Sequence, residues 1–476
     1  MSRKHFRNSS PGHHPGVIAG LAMVFLAIWA GPLQAQTPTG SGAADAPASD
    51  ARIYDIIQAA SPDRIEADIR TLAGFGTRNT LSDTLSTSRG IGAARRWIKA
   101  EFERISTDCG GCLEVFYQHS LVEGTPQGRI REDVWVVNVV AVLRGSTEPN
   151  RYVIMSGDID SRASDTLDGE TDAPGANDNA SGMAGTLEAA RILSQRRPFS
   201  ASIVFAGLSG EEQGLWGGRH MAEVAREEGW EITGILNNDM IGNIHGIDGV
   251  IDNTSFRIFS EAIPLPDYRP ESWNYRVLGG EVDGPSRQLA RYVHAMTEGY
   301  FTNLHPKLIY RLDRFGRGGH HRPFNDAGYP GIRIMETHEN YVRQHQDIRV
   351  ENGIEYGDVI EGVDFDYAAR LTAVNAVALA GLAWAPPAPT NVRIGGAVQP
   401  STTLAWESVE HPELAGYRVY WRDTTAPQWE HSRFVGRVDR FTLDNMVIDN
   451  YLFGVAAVGR DGNESVVAFP TAQLGR

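Results

Sequence analysis

Six acidic residues sit where hydrophobic strands should end: Asp158 and Asp160 in "SGDID", Asp178 in "GANDNASG", Glu211 and Glu212 in "GEEQG", and Asp239 in "NNDMIG". In open α/β sheets, ligands gather outside the carboxyl ends of the strands, so these distant segments could meet in one crevice. Carboxylates brought that close raise one another's pKa and oppose folding unless cations offset the repulsion. Hard divalent ions with oxygen ligands meet that need. Each segment alone reads as an ordinary turn, cap or helix start. Four acidic strand ends together, on an α/β pattern, point to a metal centre.

The elements that must position them follow from periodicity. "VWVVNVVAVLRG" and "RYVIMSGD" read as neighbouring strands, "GMAGTLEAARILSQ" as a helix, "SASIVFAGLSG" as a strand, "GGRHMAEVAREEGW" as a helix and "ITGILNNDMIG" as a strand. Strands alternating with helices predict an α/β sheet, largely parallel in its centre and covered on both faces. Upstream, Ser61 can cap a helix that has Pro62 at its first position, and "RGIGAARRWIKAEFERI" is amphipathic. The long helix "YAARLTAVNAVALAGLAW" ends before a Pro-rich linker at 386–391. Short strands with turn signals such as Asp461–Gly462 follow it.

The first 35 residues carry Arg3, Lys4 and Arg7, an apolar run and a small-residue site at Ala35, the pattern of a secretory signal peptide; a membrane anchor is the competing reading. Residues 36–50, rich in Ala, Gly, Thr and Pro, read as a disordered leader. The formal net charge is −15 and deepens by three when the signal is removed, which disfavours nucleic acid and anionic membranes as partners. Cys109 and Cys112 are the two cysteines. In an exported chain they are expected to close a small disulfide, because "LEVFYQ" after them alternates like a strand and no second pair supports a zinc ribbon.

Over residues 90–385 the chain resembles the exported di-zinc aminopeptidases, whose fold is shared with glutamate carboxypeptidase and the transferrin receptor ectodomain. "PGANDNASG", "SGEEQGLWGG" and "NNDMIG" carry the resemblance. It implies a three-layer α/β/α sandwich over 51–385, with a mixed, centrally parallel sheet. It also implies hydrolysis of N-terminal peptide bonds by a water between two divalent ions, expected to be zinc. Matched position by position, Asp178 bridges both ions, Glu212 and Asp239 each hold one, Glu211 is the general base and Asp160 orients the first ligand. His345 in "YVRQHQDIRVENG" is the expected final ligand, although Gln344 stands where the family often has Tyr. Residues 392–476 resemble a fibronectin type III domain, with Trp406 as its core tryptophan and Tyr451 as its corner tyrosine.

Besides Gln344, two positions depart from the resemblance. The family's first motif reads Gly-His-x-Asp, whereas this chain has Asp158 in place of the histidine. Asp158 is expected to ligate, giving one ion an oxygen-only set with Asp178 and Asp239 that suits Mn²⁺ or another hard ion; the alternative is one tight ion on Glu212, His345 and Asp178. In "GGHHRPF", His321 matches a histidine and His320 replaces an aspartate, and both are expected in a packed or solvated loop. The predicted function is a periplasmic or secreted aminopeptidase acting on peptide or protein N-termini. Two alternatives are glutaminyl cyclase-like acyl transfer on the same fold, and a binding protein with a degenerate metal site.

Overall fold

In the computed structural model, which describes residues 45–264 and 272–475, eight strands form one sheet. They are β1 (Leu113–Val122), β2 (Val134–Leu143), β3 (Glu148–Asp158), β4 (Ala201–Leu208), β5 (Glu231–Asn238), β6 (Ser255–Ser260), β7 (His305–Ile309) and β8 (Gly331–Glu336). Their order is β1-β2-β4-β3-β5-β8-β6-β7. The central four, β4-β3-β5-β8, run parallel, and antiparallel pairs β1/β2, β2/β4 and β6/β8 lie outside them. Every residue of "ASIVFAGL" in β4 is buried, as expected of a strand covered on both faces.

The helices described are α1 (Arg52–Ala59), α2 (Pro62–Ala73), α3 (Gly90–Asp108), α4 (Ala180–Ser194), α5 (Trp216–Glu227), α6 (Ser272–Val277), α7 (Pro285–Tyr300), α8 (His321–Asp326) and α9 (Phe365–Trp384). Alternation along β3 sorts them into two layers. Val153 and Met155 face a large core built with α1, α2, α3, α4, α7 and α9, while Tyr152 and Ile154 face a smaller one with Met221 of α5 and Phe324 of α8. The fold is therefore a three-layer α/β/α sandwich with a mixed, centrally parallel sheet. Helix α9 is apolar almost all round because nearly every residue from Tyr367 to Trp384 is buried. Ser61 caps α2 by accepting from Arg64 N, with Pro62 at the first position.

From β3 the chain crosses by α4 on one face to β4, then by α5 on the other face to β5. The first crossover thus runs to one side of β3 and the second returns past it to the other, which opens a crevice at the carboxyl ends of β3, β4 and β5.

C-terminal to α9, four strands (Thr390–Gly395, Thr402–Glu407, Arg440–Leu443, Ala472–Gln473) form one small sheet and three (Leu414–Asp423, His431–Gly436, Tyr451–Gly459) another. Trp406 is buried between them against Tyr417, with ring centroids 5.2 Å apart. The tyrosine whose hydroxyl accepts from backbone is Tyr417, from Val409 N at 2.6 Å, whereas Tyr451 is only half-buried. This module is fastened to the larger domain. Asp283, just before α7, lies 2.6 Å from Arg291 and 2.8 Å from Arg422, all three buried.

The expected signal peptide lies outside the described residues, as does most of the leader; no helix among the described residues is long and apolar enough to cross a membrane. Asp50, the last residue of the expected leader, is buried and accepts from Asn463 Nδ2 at 2.8 Å. Cys109 and Cys112 are joined as a disulfide.

Candidate metal centre

Asp158 ends β3, Glu211 and Glu212 follow β4, Asp239 follows β5, and His345 comes from the loop after β8. Asp178 stands just before α4, whose N-cap Asn179 accepts from Gly182 N at 3.0 Å. The tightest grouping is Asp178, Glu212 and His345. The imidazole Nε2 is 3.0 Å from Asp178 Oδ2 and 3.0 Å from Glu212 Oε1, and one ligand atom from each residue lies within 4.8 Å of the others. One imidazole nitrogen and two carboxylate oxygens, with a side left open, form the donor set of a catalytic zinc. These three residues fit one such ion.

The loops carrying them are held by buried acids. Asp358 accepts from the backbone of Asn177 at 2.9 Å and of Asp178 at 2.6 Å. Asp160, expected to orient the residue at 158, instead accepts from Glu211 N at 3.2 Å, Glu212 N at 3.1 Å and Thr80 Oγ1 at 3.0 Å. Its work is to pin the Glu211–Glu212 turn. Backbone strain collects here too: His345 has φ +57° and Leu215 φ +64°, a region that non-glycine residues rarely adopt.

Electrostatics separate the carboxylates. Burial opposes the charge on His345, yet Glu212 and Asp178 hold its pKa up at about 9. Burial likewise opposes ionisation of Asp178, but the hydrogen bond from His345 keeps it far below the usual carboxylate range. Burial pushes Asp239 up to about 7 against the pull of Arg333. Glu211 is raised well above an ordinary glutamate, by burial and then by Glu212, Asp239, Asp158 and Asp160. Among the described residues, no hydrogen-bond donor reaches the Glu211 carboxylate. It lines a cleft of ≈ 450 Å³ with Asp178, Glu212, Asp239 and His345.

Asp158 and Asp239 do not join that set. The oxygen-only site expected from Asp158, Asp178 and Asp239 is not assembled. Asp158 Oδ2 accepts from Asn179 Nδ2 at 2.7 Å and Oδ1 lies 2.5 Å from His320 Nδ1. Burial drives this pair toward neutral forms, with Asp158 up to about 8 and His320 down to about 4. Asp239 is tied to Arg333, whose Nη2 is 2.8 Å from its Oδ2. His320 and His321 are both fully buried, and His321 donates from Nε2 to Leu312 O at 2.7 Å.

Sequence reasoning missed Arg333 and the Glu339 cluster, in which Arg257 and Arg314 each approach one carboxylate to 2.9 Å and Arg317 to 3.2 Å. The signal for Arg333 was legible. An arginine inside the apolar stretch "GIRIME" must find a buried counter-charge if that stretch is a central strand.

Residues 138–352 match peptidase family M28. The chain is 43% identical over 425 residues to a probable zinc metalloprotease of Leptosphaeria maculans, covering 89% of this chain and 98% of that protein. A probable zinc metalloprotease of Pyrenophora tritici-repentis is 38% identical over 88% of this chain and 98% of its own length. Among solved structures, the LapA aminopeptidase of Legionella pneumophila superposes with a TM-score of 0.50 at 18% identity, covering 72% of this chain and 78% of that one, a likeness of fold. The chain belongs to peptidase family M28, and its relatives mark it as a zinc metallopeptidase.

Proposed function

We propose that the protein is an exported exopeptidase that removes residues from peptide N-termini, with zinc on Asp178, Glu212 and His345 and Glu211 as its proton-transferring group. The observation that carries this reading is the contrast between two adjacent glutamates. Glu212 faces His345 at 3.0 Å, while Glu211 is on the same cleft with no donor on its carboxylate and a raised pKa. A carboxylate left free, with its basicity raised by burial and neighbouring acids, can take a proton from an attacking water and return it to the leaving amine. Zinc, when bound, supplies a Lewis acid for the scissile carbonyl. Asp160 keeps Glu211 in place by binding its backbone, and the ≈ 450 Å³ cleft has room for a residue or two of substrate, which favours trimming of an end.

Arg129, Arg162, Arg314, Arg317 and Arg322 line the same cleft, and Leu215 is the one apolar side chain among its described lining residues. Such walls favour acidic residues next to the scissile bond. The C-terminal module, fibronectin type III-like over 392–476, and export by the 1–35 signal complete the proposal.

The experiment is incubation of the zinc-loaded protein with a mixed peptide library and the same library acetylated at its N-termini. Release of free amino acids from the first alone is expected, acidic ones fastest. Cleavage inside acetylated peptides would sink the exopeptidase reading. A three-residue zinc set also suits attack by a substrate's own amine, so glutaminyl peptides are included. Their cyclisation without hydrolysis would favour the cyclase alternative.

A further inference from the structure

The resemblance implies two ions, and the residues present fit only one. The halves of the site differ in what neutralises their carboxylates. On one, Asp178 and Glu212 share His345, a group that gives up its proton and becomes a ligand. On the other stands Arg333, fully buried in β8 between Ile332 and Ile334. Its Nη2 lies 2.8 Å from Asp239 Oδ2 and donates to Asp239 O at 2.8 Å; Nε donates to the same carbonyl at 3.0 Å, and Nη1 to Gly318 O at 2.7 Å.

A guanidinium does not deprotonate, so this cation is permanent. A divalent ion within ligand distance of Asp239 would face it at close range in a buried site, where like charges repel strongly. Nor is Asp158 free to help, since Asn179 and His320 occupy its two oxygens. The buried Nε2 of His320 has no partner, yet the described residues bring it into no set of three ligand atoms.

We propose that the centre holds a single ion, on Asp178, Glu212 and His345, and that Arg333, whose Nη1 also lies 3.4 Å from the buried Asp313 Oδ2, takes the second position with Asp239 as its nearer counter-ion. Arg333 is then a positioning residue that sets the metal count. It lies behind Asp239 and is not among the residues lining the cleft. The inference rests on the metallopeptidase reading above.

Zinc content of the full chain, after equilibrium dialysis against excess zinc and removal of loosely held ion, tests it. One zinc per chain is expected in the wild type and in Asp239→Asn, and none in His345→Ala. Asp158→His/His320→Asp/Arg333→Met, which restores an imidazole and removes the guanidinium, is expected to hold two. Two zinc ions in the wild type, loss of zinc from Asp239→Asn, or one zinc in the folded triple variant would each overturn the proposal. Should the triple variant not fold, the wild type and Asp239→Asn decide. A wild type that binds no zinc would instead overturn the metallopeptidase reading, and this inference with it.

Discussion

His320 Nδ1 lies 2.5 Å from Asp158 Oδ1 across 162 positions of sequence, with both residues buried. Where the related motifs read His first and Asp later, this chain reads Asp first and His later, and the two exchanged residues touch. Asp158→His alone brings two imidazoles together and His320→Asp two carboxylates. Each single change should cost roughly 1–3 kcal/mol by urea unfolding, the cost of a buried polar group left without its partner, and the double exchange should recover most of it. Additive losses would show that the pair is not coupled.

Glu211→Gln keeps shape and removes the free carboxylate. Turnover should fall by about 10²–10⁴-fold with zinc content unchanged. The metal-free variant should melt higher than the metal-free wild type, because one of several crowded like charges is gone. Full activity in Glu211→Gln would remove this residue from the chemistry.

Zinc uptake should release protons. With its pKa held near 9 by Glu212 and Asp178, His345 is protonated in the metal-free protein at pH 7.5 and must lose that proton to ligate. Calorimetric titrations in buffers of different ionisation enthalpy should report at least one proton per zinc. Apparent affinity should weaken about tenfold for each pH unit below about 9. Heats independent of the buffer would contradict the assignment.

His321 predicts a loss of stability on mild acidification. Burial lowers its pKa from 6.5 to about 4. The unfolded chain therefore takes up this proton first as pH falls, so the contribution is complete above pH 6.5 and lost progressively down to about 4. It amounts to roughly 3 kcal/mol at about 1.4 kcal/mol per unit. The cause is local: Nε2 is committed to Leu312 O, and a second proton on the buried Nδ1 would meet no acceptor. Urea unfolding of His321→Gln should show a shallower slope than the wild type over pH 4–6.5. Equal slopes would assign the effect elsewhere.

Asp283→Asn should destabilise the whole chain by roughly 3–5 kcal/mol, since it leaves the buried guanidinium groups of Arg291 and Arg422 without a counter-charge. Thermal unfolding should remain a single transition at lower temperature. A separate low-temperature step would mean that the C-terminal module melts alone.

Much of this molecule was legible before its coordinates. The acids at 212 and 239, just past β4 and β5, pointed to the crevice only in combination, since each segment alone reads as a turn or cap; Asp178 stands before α4, well past the end of β3. His345 followed from its motif despite Gln344, which proves to hold Glu339 at 3.1 Å. Partner choice was not legible. Whether Asp158 or Asp239 faces a metal or a neighbouring cation depends on side chains from β8 and the loop before α8, more than 90 positions away in sequence. The partners of Asp160 were not legible either, since they are the backbone N–H groups of Glu211 and Glu212 and the hydroxyl of Thr80, which no motif reveals. The buried backbone-bonded Tyr417 was not singled out from sequence, because it and Tyr451 stand on strands of similar pattern and only packing tells which ring turns inward.

The contacts of Asp50 and Arg52 with the C-terminal module set an order of assembly. Arg52 Nη2 lies 2.6 Å from Asp461 Oδ2, so the segment leading into α1 is anchored by residues translated about 400 positions later. A chain in synthesis would hold that segment unanchored until those later residues have emerged, and contacts of such long sequence separation make for slow closure. Maturation of this enzyme should therefore be limited by the arrival of the C-terminal module rather than by formation of the sheet.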